Sequence, residues 1–454
     1  MLIFISDLHL SDGTCAQTVS AKTFALFGER LQELAYNASW DNQGVYRPID
    51  SIELVLLGDV LDPLNSTRWL DTPLGAPGAI RPWSDPKLPG FTAKLAEITS
   101  AILQGNQAGL ETLRQLVRAE LVKLPPSRHG QPDFGAKERL SPLVHAYYMI
   151  GNHDWYYHLP GPAFDAIRRD MIAGLGLSNP AGPFPWKLDE SALLGDLFAP
   201  YRVYAQHGDM YDHFNFDPAR GRDSATLSDV FATEVVNRFP LEVERELGRD
   251  LPAVFLESLR KLPNIRPALA TPIWISGQIN QHAGSRAAQN KLKRIWDDLT
   301  NQFLEVDFVR QANKAFQFDL VDALALAIKI SQKTSFDAAS NAAIWVREKL
   351  GTGELSFAGH AMREPSILKN QARFVVYGHT HHPEIISLNR VIQGASLESQ
   401  MYFNSGTWHS YYDLAVENPK QQKFIPYEAM TYLAFYLERE RGQRNFEAWS
   451  GAFG

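Results

Sequence analysis

The chain has 454 residues, 45% hydrophobic and 21% charged, a composition that excludes wholesale disorder and fibrous repeats. Such a length fits one large domain or two to three ordinary ones. Forty-four Lys and Arg against fifty-one Asp and Glu give a formal charge of −7, so no overall basic surplus draws the protein onto nucleic acid.

Predicted elements alternate apolar runs with polar loops. Met1 leads at once into Leu2-Ile3-Phe4-Ile5, a first β-strand, and then into Ser6-Asp7-Leu8-His9. No signal pattern precedes that strand. No apolar run reaches the roughly eighteen residues of a spanning helix, so a cytoplasmic location is expected. The single cysteine, Cys15, excludes a disulfide framework or a thiolate-built zinc site and reads as a free thiol in a loop. Ile52 to Leu57 runs into Gly58-Asp59. Pro73 to Pro89 reads as a loop. Phe91 to Leu124 reads as helical, with Leu95, Ile98 and Ile102 at three-to-four spacing, and stops at Pro125-Pro126. Val144 to Ile150 runs into Gly151-Asn152-His153-Asp154, and Val203 to Ala205 leads to His207-Gly208-Asp209. From about Pro218 to Arg363 the pattern is helical again, over Leu251–Leu262, Ala287–Leu304 and Phe318–Leu350. Phe374 to Tyr377 then leads to Gly378-His379-Thr380-His381.

Short apolar runs bounded by Gly read as buried strands. Ligands of open α/β sheets sit outside the carboxyl ends of strands. Five strands ending in metal-capable side chains therefore point to one shared site. The helical stretches read either as cover for exposed sheet or as a cap that selects substrates.

The residue types fit that site. Asp7 and His9 are two apart, and in an extended chain such residues share a face. Carboxylate and imidazole together suit divalent Mn, Fe, Co, Ni or Zn. Asp59 follows a Gly that permits a tight turn, and a carboxylate is the natural bridge between two cations. Asn152 offers a neutral oxygen, with the titratable His153 beside it. His207 adds an imidazole, and His379 with His381 repeats the two-residue spacing. The order Asp7-x-His9, Gly58-Asp59, Gly151-Asn152-His153-Asp154, His207-Gly208, Gly378-His379-x-His381 resembles the calcineurin-like metallophosphoesterase superfamily over residues 1–62, 141–215 and 370–438.

The resemblance implies a four-layer α/β/β/α sandwich. Its core would be residues 1–215 and 364–454, with a helical insertion at about 63–140 and a second insertion, a possible cap, at 216–363. It implies two divalent ions, manganese foremost and Fe, Zn, Co or Ni as alternatives. Asp7, His9, Asp59 and His381 would hold the first ion. Asp59, Asn152, His207 and His379 would hold the second. The expected reaction is attack of a metal-bridging hydroxide on a phosphate ester or pyrophosphate, with His153, oriented by Asp62, as the acid. Asn404 reads as the turn residue of Asn404-Ser405-Gly406-Thr407, not a ligand. The expected substrate is a phosphorylated small molecule or nucleotide. Alternatives are a DNA-processing nuclease of the same superfamily, a UDP-sugar-lipid pyrophosphatase, a protein phosphatase and a non-catalytic scaffold. Aromatics such as Trp155, Tyr156, Tyr157 and Trp408 read mostly as core.

Overall fold

The computed structural model describes residues 1–15, 17–266, 285–315, 356–393, 396–415, 423–427 and 429–451, with Thr271, Trp274, Ile275 and Gln278. In chain order the strands used below begin with β1 (Leu2–Ile5), β2 (Ser51–Leu57), β3 (Leu143–Met149), β4 (Val203–Ala205), β5 (Ile265–Arg266) and β6 (Phe374–Tyr377). They continue with β7 (Glu384–Gln393), β8 (Ser396–Asn404), β9 (Tyr411–Ala415), β10 (Lys423–Tyr427), β11 (Met430–Phe435) and β12 (Phe446–Gly451). The fold is mixed α/β. One sheet has the order β12-β11-β1-β2-β3, a second β4-β6-β8-β7, and a third β10-β9-β5. Strands β1, β2 and β3 run parallel, as do β4, β6 and β8, and the remaining pairs of the first two sheets are antiparallel.

Alternation along the strands explains why they read as unbroken apolar runs. Ile3, Ile5, Leu54 and Leu56 pack on one face against α1 (Ala21–Ala38), α2 (Pro89–Gly105), α3 (Gln107–Val117) and α4 (Pro162–Leu175). Leu2, Phe4, Val55 and Leu57 point the other way, into a cluster with Phe374, Val376 and Phe403 of the second sheet. Both faces are buried, so neither needs polar residues. Helix α1 follows the same logic: Phe24, Phe27, Leu31 and Leu34 form its buried stripe, and the Ser20 side chain accepts from Thr23 N–H to cap it. Trp155, Tyr156, Tyr157 and Trp408 are buried in the helix-side core, as expected of them.

The helical run Phe91–Leu124 is two helices, broken at Asn106. Its Nδ2 donates to Ile102 O and Ser11 O, at 2.7 and 2.9 Å, a side-chain bonding pattern that competes with helix continuation. Helix α3 ends at Val117, short of the expected Leu124, because Ala119 turns into the left-handed region. Ala287–Leu304 lies within a helix at Arg286–Glu305, whereas Phe318–Leu350 falls outside the described residues.

The segment expected to be the second insertion supplies most of a separate hydrophobic cluster, in which Phe231, Val235, Phe239 and Val243 meet Leu292, Trp296, Leu299 and Phe303. It is tied down by buried polar contacts. Arg81 Nε donates to Glu234 Oε1 at 2.7 Å, inside a π-helical turn at Ala232–Asn237. Asn237 Nδ2 donates to Leu64 O at 3.0 Å, and Trp155 Nε1 to Asp229 Oδ1 at 3.2 Å. Strand β5 adds the insertion to β9 of the core, pairing Ile265 with Tyr412.

Among the described residues no helix is long and apolar enough to cross a membrane.

Candidate metal centre

All nine residues singled out from sequence converge where β1, β2 and β3 of the first sheet and β4 and β6 of the second end. Backbone bonds lock these loops together. Asp7 N–H donates to Gly58 O at 3.1 Å, His9 N–H to Asp59 O at 2.9 Å, and Gly378 N–H to His207 O at 2.9 Å.

Asp7 and His9 do share the site, but not through extended geometry. Their φ angles are 53° and 45°, and Asp59, His379 and His381 are also left-handed, at 52°, 69° and 64°. Left-handed backbone in non-glycine residues costs free energy and persists only where surrounding structure imposes it. Neighbouring glycines are required for the close approach. A Cβ on Gly151 would lie 2.3 Å from Asp59 Oδ1, and one on Gly378 would lie 2.7 Å from Asp7 Oδ2.

On one side, Asp7, His9 and His381 form a group able to hold a metal ion. Nδ1–H of His9 donates to Asp62 Oδ2 at 2.9 Å, which leaves the lone pair of Nε2 exposed. That atom faces His381 Nε2 at 3.0 Å. His381 Nε2 in turn accepts from Arg266 Nη2 at 3.2 Å. A divalent ion bound by both nitrogens would satisfy these two facing atoms together. Asp7 Oδ1, 3.4 Å from His381 Nε2, is buried without a hydrogen-bond partner.

Asp59, His207 and His379 form the second group. Burial would lower the His207 pKa, but Asp59 and Asp7 outweigh it and raise that pKa well above its usual value. Leu57 O accepts its Nδ1–H at 2.9 Å, and its Nε2 too is buried without a hydrogen-bond partner. Asp59 Oδ2 lies 3.2 Å from it and 3.9 Å from His9 Nε2, between the two groups. The other Asp59 oxygen accepts His153 N–H at 2.8 Å. Asn152 Oδ1 sits 3.0 Å from His379 Nδ1.

Electrostatics fits a cationic occupant. Burial, with Asp59 beside it, raises the pKa of Asp7. Burial alone would raise Asp59 as well, but His207, His153 and His9 pull it well below the carboxylate range. His381 is driven well below its usual value by burial and by Arg266, which keeps it a neutral ligand.

Asp62 and His153 stand beside the first group. Nδ1–H of His153 donates to Asp62 Oδ1 at 3.0 Å, while its Nε2 has no partner among the described residues. Burial opposes the imidazolium, yet Asp62 and Asp59 raise the His153 pKa to about 9. Asp62 also holds His9, a second duty not anticipated from the sequence. Cys15 is free and buried, which raises its pKa. Asn404 serves the turn: its Nδ2 donates to Gly378 O, and its Oδ1 accepts from Gly406 N–H.

Three functional residues escaped the sequence reading. Asp212 Oδ2 accepts from His379 Nε2 at 3.1 Å, and Asn215 Nδ2 donates to that oxygen at 2.7 Å. Asn215 Oδ1 takes the amide proton of Asn152 at 3.1 Å, turning the Asn152 oxygen toward the site. Such partners orient ligands and raise their basicity. The spacing of Asp212 and Asn215 after His207-Gly208-Asp209 was visible but has an equally good reading as a loop. Arg266 is the third, and it comes from the second insertion.

A scan of protein-family models finds no match to the chain, and a search of curated proteins finds none.

Proposed function

We propose that the protein is a metal-dependent phosphoesterase of the calcineurin-like metallophosphoesterase type, with a four-layer α/β/β/α core. The observation that carries this reading is the facing pair of His9 and His381 nitrogens beside the orphaned Asp7 Oδ1, with Asp59 Oδ2 between them and His207. Asp7, His9, Asp59 and His381 would hold one divalent ion, and Asp59, Asn152, His207 and His379 another. Manganese is the proposed occupant, and Fe, Zn, Co or Ni suit the same mixed donors. Bound there, the ions supply Lewis acidity toward phosphoryl oxygens and lower the pKa of water.

The chain's own groups do the rest. Asp212 and Asn215 hold His379 and Asn152 in place, and Asp62 fixes the rings of His9 and His153. His153 Nε2 holds the proton that the departing oxygen receives. The substrate is a phosphorylated small molecule or nucleotide.

The test is elemental analysis of manganese-loaded protein, with turnover of a phosphomonoester, bis-aryl phosphodiester, UDP-sugar, cyclic nucleotide and single-stranded DNA. Two ions per chain and hydrolysis of a small phosphoester are expected. One ion, or hydrolysis of none, defeats the proposal. Cleavage of DNA alone moves the reading to the nuclease branch.

A further inference from the structure

The second insertion reaches the candidate centre itself. Strand β5 pairs with β9, and this fixes Arg266 opposite Asp413. Arg266 Nη1 donates to Pro263 O at 2.8 Å and Ile265 O at 3.1 Å, which anchors half of the guanidinium to its own segment. Nη2 points the other way, at His381 Nε2. Among the described residues Arg266 forms no ion pair. Burial lowers its pKa, and the charges of Asp7, Asp59 and Asp62 oppose that shift from across the site. A permanently charged fork therefore faces the centre, with no carboxylate paired to it among the described residues.

Its position conflicts with a bound ion. The lone pair that Arg266 now uses on His381 is the one a metal would take. With that partner lost, the guanidinium is left against a like charge. An anion lying between the two resolves the conflict, and a phosphoryl group has the oxygen geometry that a guanidinium fork matches.

The same segment lines a groove of about 330 Å³ between insertion and core. Arg260, Lys261 and Asn264 form one side, and Gln17, His409 and Tyr412 belong to the other. Lys261 Nζ lies 5.5 Å from the centre of the Tyr412 ring, and Arg260 has no ion-pair partner among the described residues. Glu257 contributes a carboxylate to this lining, so positive charge is in excess. The groove adjoins the centre through His409, whose ring stands edge-on to His9 at 6.4 Å.

We propose that Arg266 grips the phosphoryl group under attack, and that Arg260 and Lys261 receive a second anionic group of the same substrate in the groove. The substrate class is then a phosphoester bearing another phosphate, such as a nucleotide with two phosphates. This rests on the phosphoesterase reading above.

The test uses the full chain loaded with manganese. Arg266→Gln should retain both ions but bind inorganic phosphate about ten- to a hundredfold more weakly by calorimetry. Its kcat/KM should fall about 10²–10³-fold on both an aryl phosphate and a nucleoside diphosphate. Arg266→Lys should recover part of each, and it decides the matter if the Gln variant does not fold. Arg260→Gln with Lys261→Gln should raise KM about tenfold or more for the nucleoside diphosphate and leave the aryl phosphate unchanged. Wild-type phosphate affinity in both Arg266 variants overturns the first half. Equal effects of the double variant on both substrates, or none, overturn the second. If the wild type cleaves nothing, the phosphoesterase reading fails, while the phosphate titration still judges Arg266.

Discussion

Replacing Asp62 by Asn tests how one carboxylate serves two histidines. Oδ1 accepts from His153 Nδ1 at 3.0 Å and from the backbone N–H of Asn65 at 3.0 Å. Oδ2 accepts from His9 Nδ1 at 2.9 Å and from Asn65 Nδ2 at 2.7 Å. An amide has one accepting oxygen. The backbone donor of Asn65 cannot rotate away, whereas its side chain can, so the Asn oxygen should settle on the His153 side. The NH₂ then faces His9, whose proton must leave Nδ1 for Nε2. That is the nitrogen needed for the metal. Loss of such an orienting partner weakens metal binding about ten- to a hundredfold, or about 1.4–2.8 kcal/mol. Manganese calorimetry on chelator-stripped Asp62→Asn should show this loss at one of the two sites, while His153→Ala titrates like wild type. Wild-type affinity at both sites in Asp62→Asn would refute the reasoning.

Other perturbations separate the remaining roles. His153→Ala should slow turnover about 10²–10⁴-fold, and more for an alkoxide than for a nitrophenolate leaving group; equal losses would leave the residue as a charge stabiliser only. Arg81→Met leaves Glu234, which is 1% exposed, with Arg238 at 3.0 Å as its one ion-pair partner among the described residues, so urea unfolding should show a loss of about 3 kcal/mol. Adding Glu234→Gln should restore part of it, and a single-variant loss under about 0.5 kcal/mol contradicts the pairing. Burial alone would lower the pKa of His158, but Asp223 at 2.5 Å and Glu190 at 3.4 Å raise it to about 9. Because the folded value lies above the unfolded 6.5, its contribution is complete below pH 6.5 and fades as pH rises through 9. An NMR titration of its ring should show a midpoint near 9, and His158→Gln should flatten the stability change between pH 7 and 10.

The strands that end in candidate ligands were legible because their apolar runs are mostly buried and each breaks abruptly into Asp, His or Asn. Ile5 to Asp7 and Tyr377 to His379 are examples. The sheet division was not legible, since β3 and β4 look alike in sequence yet belong to different sheets. Strand β7 was missed because it is a largely exposed edge, with Ile385 and Ile386 in solvent, and lacks the apolar run of a buried strand. Arg266 escaped because its partner strand begins at Tyr411, far along the chain, and because two paired residues leave no periodic trace. Asp62 was read for one histidine only, because nothing in the local spacing announces that His9 folds back onto it.

The left-handed backbone at Asp7, His9, Asp59, His379 and His381 changes how ligand substitutions there must be compared. Alanine removes the donor but keeps a Cβ in a conformation that costs roughly 1–2 kcal/mol. Glycine removes donor and cost together. In metal-free protein the glycine variant at each of these positions should therefore be the more stable of the two, and the gap reads the backbone cost directly. At Asn152 and His207, which lack this conformation, the order should reverse. An alanine scan alone would merge loop relaxation with lost coordination and misrank the donors.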